Sequence, residues 1–203
     1  MRQLFILRIM MRSAEFNREQ VLRAAIKAFM VKGYTKTSMQ DLKQATGLHP
    51  GSIYCAFENK QGLLLAAIEQ YNKDKADEFK QYFDNQSSVL TGLKHYLEDT
   101  VTACTQGGTE KVCLSQKALN ELAQQEPLVE QYISNNMLDW QQGFVDMFAK
   151  AQQLGELNNA RSPLQRAQSL VMGIYGLRSY AHTHPESETM CYLANQLFED
   201  VCR

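Results

Sequence analysis

Four side chains between His49 and Lys60 have the chemistry needed to grip and read a nucleic acid. Lys60 can neutralise a phosphate, and Tyr54 can donate one hydrogen bond to a backbone oxygen while its ring packs against a helix pair. Ser52 or His49 can reach base edges. Each also has a plainer role: a surface ring for Tyr54, a solvated lysine for Lys60, a loop or cap side chain for His49 and a helix-terminal hydroxyl for Ser52. A second group, Tyr96, Cys104, Cys113, Trp140, Phe144, Met147, Phe148 and Tyr175, lies on helical patterns that should converge on a mostly apolar centre with a few polar edges. That composition suits a hydrophobic or aromatic effector, and it equally suits ordinary core packing.

Cysteines occur at 55, 104, 113, 191 and 202, too irregularly spaced for a disulfide scaffold and consistent with a reducing cytoplasm. Cys104 and Cys113 flank Gly107–Gly108 and are candidates for oxidation or electrophile capture, with inert packing as the alternative. Modification of Cys55 would place bulk against DNA. His182 and His184, near Glu186 and Glu188, have no spacing that fixes a metal geometry, so a loop is expected there and no metal or cofactor. The sequence carries no linked nucleophile, base and orienting acid and no phosphate-binding glycine loop, which argues against an enzyme.

The elements that must position these groups are helical. Apolar spacings of three and four run from Val21 to Phe198, and alternating strand patterns are essentially missing. Charge is segregated: residues 1–60 hold 10 Lys or Arg against 4 Asp or Glu, whereas residues 61–203 hold 11 against 18. The expected organisation is an N-terminal arm with a helix-turn-helix over residues 1–60 and a helical effector-binding and dimerisation domain over residues 61–203. No apolar run is long enough to cross a bilayer, and MRQLFILRIMMR lacks a small-residue cleavage site, so neither secretion nor a membrane partner is expected.

Asn17 should cap the first helix, with Val21, Leu22, Ala25, Ile26 and Phe29 on its inner face and Gly33 at its end. Thr37 is expected to cap the second, with Gln40 at its third position and Met39, Leu42 and Ala45 facing inward until Gly47 turns the chain. Pro50 suits a first helical turn because it has no N–H to lose. Ile53 and Phe57 should anchor that helix and Leu48 should bury, leaving His49, Gly51, Ser52, Tyr54 and Cys55 towards the open side. Asn59 should cap a long helix whose KDKADEFKQ portion is polar and points outward. The last two patterns, about 164–182 and 188–201, suit a bundle joining two copies of the chain, which would let paired recognition helices meet a palindromic operator.

The run FMVKGYTKTSMQDLKQATGLHPGSIYCAFENKQGLLLAAI closely resembles the DNA-binding region of the TetR family of bacterial transcriptional regulators, over about Asn17 to Tyr71. The resemblance rests on Phe29, Gly33, Thr37, Ala45, Gly47, Gly51, Ile53, Tyr54, Phe57, Lys60 and Leu64 in this order and spacing. It implies an all-α fold in which three N-terminal helices bind operator DNA and the C-terminal helices combine an effector cavity with a homodimer interface. Most members repress transcription and release DNA when a small molecule binds. Carried to matching positions, Tyr54 and Lys60 become phosphate contacts, Thr37 offers its cap and hydroxyl to the DNA backbone, and residues 49–55 face the groove, with Pro50 and Cys55 in place of commoner polar residues. KVCLSQKALNEL further resembles a pocket-lining region of one branch, with Val112 where glycine is commoner. The resulting reading is a homodimeric repressor released by a hydrophobic or aromatic effector; the alternatives are redox or electrophile control through Cys104 or Cys113, and a ligand-independent DNA-binding dimer.

Overall fold

The computed structural model describes residues 16–84, 86, 88–106, 113–122 and 125–203 of the chain. The N-terminal arm, the Gly107–Gly108 turn and Val112 lie outside the described residues. Among the described residues the regular structure is all helical: α1 Arg18–Lys32, α2 Met39–Thr46, α3 Pro50–Phe57, α4 Lys60–Gln81, α5 Val89–Thr105, α6 Leu114–Leu122, α7 Pro127–Gln153, α8 Pro163–Tyr180 and α9 Ser187–Cys202, with a 3-10 turn at Ala181–Thr183. The chain forms two compact units, Met1–Tyr71 and Asn72–Arg203, and the division falls within α4.

In the first unit, Asn17 caps α1 by accepting the Gln20 N–H at 3.1 Å. Val21, Leu22, Ala25, Ile26, Phe29 and Met30 of α1 are buried, as are Leu42 of α2 and Ile53 and Phe57 of α3. The first half of α4 adds Leu63, Leu64, Ala67 and Ile68 to the buried set. An eight-residue helix is too short to persist alone, so α2 and α3 hold their shape through these anchors.

Two expectations for α2 are corrected. Ser38, not Thr37, is the N-cap: its Oγ accepts the Asp41 N–H at 3.1 Å, and Asp41 accepts the Ser38 N–H at 2.9 Å, a reciprocal capping box. Asp41 also pairs with Lys32 at the end of α1, at 2.5 Å. The Lys32 ammonium and the two Ser38 donors hold the Asp41 carboxyl well below the usual range. Ala45 is exposed rather than inward, because Leu42 alone fills the contact of this short helix with the core. Leu48 is only half-buried.

The α3–α4 junction is tight. The Asn59 N–H reaches the Phe57 carbonyl at 2.7 Å across Glu58, whose φ of 66° places a non-glycine residue in a γ-turn with positive φ. Asn59 then caps α4 through the Gly62 N–H at 2.8 Å. A Cβ at Gly62 would stand 2.0 Å from the Phe57 carbonyl oxygen, so only glycine admits this approach.

In the second unit, α7 packs along α8, α9 packs on α5 and α8, and α6 packs on α7. A large apolar cluster joins Leu93 and Leu97 of α5, Phe144 and Phe148 of α7, Leu170 and Ile174 of α8 and Val201 of α9. The α7–α8 connection fastens both ends of other helices. Glu156 accepts from the Val89 and Leu90 N–H groups, each at 3.1 Å, and from the Ser88 hydroxyl at 2.9 Å, at the start of α5. At the opposite pole of a helix, the fully buried Arg166 donates to the carbonyl of Val201 at 2.6 Å and to Asn158 Oδ1 at 3.0 Å, and Arg161 donates to the Asp200 carbonyl at 2.8 Å.

Partial burial raises the Glu156 carboxyl, but the Leu90 and Val89 N–H groups, the Ser88 hydroxyl and nearby Lys150 outweigh it, and the net value is lowered. A carboxyl lowered by folding stabilises the native state above its unfolded pKa and loses that contribution as pH falls through the folded value. Glu156→Gln should therefore cost about 1 kcal/mol at pH 7. The gap to wild type should close on acidification towards pH 3, as read by urea unfolding across a pH series.

Candidate nucleic-acid interface and effector site

The local sequence PGSIYCAF explains how α3 can present a readable face. His49 takes the N-cap position without a side-chain cap bond, and Pro50 opens the helix where no N–H is needed. Ile53 and Phe57, four residues apart, point into the core, and Phe57 is flanked by the Phe16 ring at 6.4 Å and the Arg18 guanidinium at 4.8 Å. This leaves His49, Gly51, Ser52, Tyr54 and Cys55 exposed, with Pro50 half-buried beside them.

Thr37 and Lys60 sit differently. Thr37 is 1% exposed, and its hydroxyl donates to the Gly33 carbonyl at 2.5 Å while its N–H reaches the Tyr34 carbonyl at 3.2 Å. Both donors are thus committed to the α1–α2 turn, and the structure corrects the expectation that this hydroxyl faces outward. Lys60 is half-buried, with its ammonium 4.4 Å from the Tyr34 ring centre and 3.5 Å from the Thr35 carbonyl. Any phosphate taken by Lys60 would be held beside an aromatic face that already stabilises the cation.

In the second unit, six of the eight expected effector-site residues come together. Phe144 lies at the centre, with ring centres 5.2 Å from Trp140 and 5.4 Å from Tyr96, and Trp140 is 5.7 Å from Tyr175. Edge-to-face geometry dominates, with interplanar angles of 74° for both Phe144 pairs. Phe148 is buried in the same cluster, and Met147 packs against it. Cys104 instead sits in a second cluster with Val101, Leu177, Ala181, Met190 and Ala194, 2% exposed.

Sequence reasoning missed a third side of the cluster. Phe79, near the end of α4, and Tyr82, just after it, lie 5.0 Å from Phe144 and 5.3 Å from Tyr96 respectively. Phe79, the one aromatic residue of the KDKADEFKQ stretch, therefore turns inward, which corrects the expectation for that position. The signal was present as Phe79, Tyr82 and Phe83 at spacings of three and four, diluted by the charges around them.

Burial pushes the Tyr96 phenol up, although Arg178 and the hydrogen-bonding Trp140 indole pull the other way. Burial also raises Tyr175, with Cys113 adding to the shift and Arg178 opposing it. Both phenols therefore remain protonated donors around neutral pH. No group of three or more His, Cys, Asp or Glu able to hold a metal occurs among the described residues. No helix among them is long and apolar enough to cross a membrane.

Residues 21–67, which run from α1 into α4, match the family model described as bacterial regulatory proteins, tetR family. Over this segment the chain is similar to the DNA-binding region of TetR-family regulators. It is 27% identical over 147 residues to an uncharacterised HTH-type transcriptional regulator, YezE, of Bacillus subtilis, covering 72% of this chain and 76% of the relative. It is 33% identical over 99 residues to the HTH-type transcriptional repressor ComR of Escherichia coli, covering 48% of this chain and 47% of that one. Its fold superposes with a TM-score of 0.82, at 22% identity and over 93% of this chain and 98% of the other, on a cysteine-substituted TetR family regulator, CifR, solved with 26-base-pair operator DNA.

Phe144 is the fully enclosed ring of the cluster, whereas Tyr175 is only partly buried. Phe144→Ala should cost about 3–5 kcal/mol in urea unfolding. Tyr175→Phe should stay within about 1 kcal/mol, since it keeps the ring and removes only a hydroxyl.

Proposed function

We propose that this chain is a homodimeric TetR-family repressor of palindromic operators, released when a small hydrophobic or aromatic molecule binds among Tyr96, Trp140, Phe144 and Tyr175. The observation that carries the DNA half is the division of α3 into two faces: Ile53 and Phe57 are buried, while His49, Ser52, Tyr54 and Cys55 are exposed. A helix anchored on one side with small and polar groups on the other fits the major groove. Tyr54 and Lys60 act on phosphates, and His49 and Ser52 on base edges. The operator complex of CifR, which shares the fold, supports this assignment.

A twofold pairing through α8 and α9 is supported by their outward face. Met172, Gly176 and Tyr180 follow one another at intervals of four on α8 and are exposed, as is Tyr192 on α9. Buried between two copies, this face would form a four-helix contact, and a dimer across promoter DNA can exclude polymerase. Release follows if the effector prefers a dimer geometry that mismatches the operator. Driving a 99:1 population to 1:99 takes about 5.5 kcal/mol of such preference.

A second reading is thiol control through Cys113. It is favoured over Cys104 because Cys113 is half-buried, whereas Cys104 is sealed in an apolar cluster. In that case Cys113→Ser would abolish release by an electrophile or oxidant while leaving DNA binding intact.

Selection of the full-length protein on a pool of random DNA duplexes tests the proposal. The expected product is an inverted repeat with half-site centres about 10–11 base pairs apart, or a multiple of that spacing, bound by dimers. Tyr54→Phe and Lys60→Ala should weaken binding about evenly across sequences, and Ser52→Ala or His49→Ala should relax preference at single positions. Failure to enrich any sequence would overturn the regulatory reading. An operator complex that no small molecule or thiol reagent disturbs would leave a ligand-independent DNA-binding dimer.

A further inference from the structure

The aromatic cluster says little about which apolar molecule it would hold, but the helix that supplies Phe79 carries a second, polar feature two turns earlier. The Asn72 side-chain nitrogen is buried and has no hydrogen-bond partner. The oxygen of the same amide faces Ser115 Oγ at 3.5 Å, a long contact, and Ser115 is itself 3% exposed. A buried amide nitrogen carries two N–H donors, and leaving them unmatched is unfavourable wherever water is excluded. Native structures tolerate few such groups, and those that persist tend to have a reason.

The placement of Asn72 suggests the reason. Asn72 and Phe79 are seven residues apart on α4, so they lie on one face of the helix, about 10 Å apart along its axis. Ala76, between them on that face, is exposed and small, so α4 itself carries no bulky side chain between the amide and the ring. Ser115 lies in the first turn of α6, two residues after Cys113. The Asn72 amide thus stands on the face of α4 that leads to the aromatic cluster, and with the Ser115 hydroxyl facing its oxygen its nitrogen is the donor left unmatched.

We infer that this site takes an aromatic or apolar molecule bearing a carbonyl or carboxylate oxygen, and that Asn72 donates to that oxygen. The inference rests on the effector-site reading above and narrows it from any apolar molecule to an acceptor-bearing class. An apolar ligand without an acceptor would fill the aromatic end and leave the amide unmatched. One with an acceptor satisfies both ends, and sites of this kind discriminate strongly against analogues lacking the matching group.

The chain's single tryptophan, Trp140, reports the site directly because its indole contacts Phe144 and Tyr175. Three probes of similar shape, 3-phenylpropanoate, 3-phenylpropanamide and n-propylbenzene, can be titrated into the full-length protein while Trp140 emission is followed. The acceptor-bearing pair should bind at least about tenfold more tightly than n-propylbenzene, as expected for one bond made to an otherwise unmatched donor. Asn72→Leu should reduce that preference to within about threefold without weakening n-propylbenzene. Asn72→Asp, which replaces the donor by a carboxylate, should selectively reject 3-phenylpropanoate. Far-UV circular dichroism confirms that each variant is folded. Equal binding of the three probes, binding of none, or a preference that survives in both variants would overturn the inference. The titration uses no DNA, so a chain that selects an operator yet shows no acceptor preference refutes this inference alone. A chain that selects no DNA refutes the regulatory reading and leaves the titration to stand on its own result.

Discussion

The second unit depends on a nine-residue connection, 154–162, that together with Arg166 fastens the ends of two helices distant in sequence. Glu156 meets the exposed N–H groups at the start of α5, and Asn158, Arg161 and Arg166 meet the carbonyls at the end of α9. The signs follow from the helix itself, since the N-terminus carries partial positive charge and the C-terminus partial negative charge. Arg166 donates from its two terminal nitrogens to oxygens of Val201, Asn158 and Arg203, while its buried Nε has no partner. Its charge is balanced by carbonyl oxygens, which explains how a guanidinium at 0% exposure is tolerated. Burial lowers its pKa from a value high enough that it remains a cation.

This anchoring has a consequence for the aromatic cluster. Tyr96 stands two turns beyond the N–H groups held by Glu156, Phe144 stands on the helix that leads into the connection, and Tyr175 on the one that leaves it. Holding the connection fixes the register of α5 against α7 and α8, and the ring distances of about 5 Å follow from that register. Tyr82, in the turn just after α4, reinforces the arrangement by donating to Asp99 of α5 at 2.6 Å. The rings then add packing to an alignment already set by polar contacts.

What the sequence reveals and conceals divides along the same line. The anchors of α1 and α3, the Asn17 cap, Pro50 at a first turn and the Trp140–Phe144 spacing are local patterns, and each is readable because the residues that decide it lie within a few positions of one another. The α2 cap was misplaced by one residue because Thr37–Gln40 and Ser38–Asp41 both read as capping boxes. The choice is made by Lys32, nine residues from Asp41, whose charge favours the acidic partner. Glu156 and Arg166 resemble ordinary surface charges in sequence, since their partners lie 66 or more residues away for Glu156 and 35 away for the Val201 carbonyl. Asn72 is concealed for the same reason, as an amide's lack of a partner is a property of the packed chain.

The first unit separates holding a helix from reading with it. Two side chains, Ile53 and Phe57, fix α3 to the core, and the γ-turn at Glu58 with glycine at position 62 fixes where it ends. None of the exposed positions His49, Ser52, Tyr54 and Cys55 is needed for that attachment. Substitutions on the outward face therefore cost little in stability, as surface changes generally do, and leave the helix in the same place. The same scaffold can present different groups to different sequences, so the family resemblance fixes the position of the reading surface while its specificity resides in these few residues. The strain at Glu58 fits this division, because it is borne at the junction, where the end of α3 must be set, and not on the face that reads.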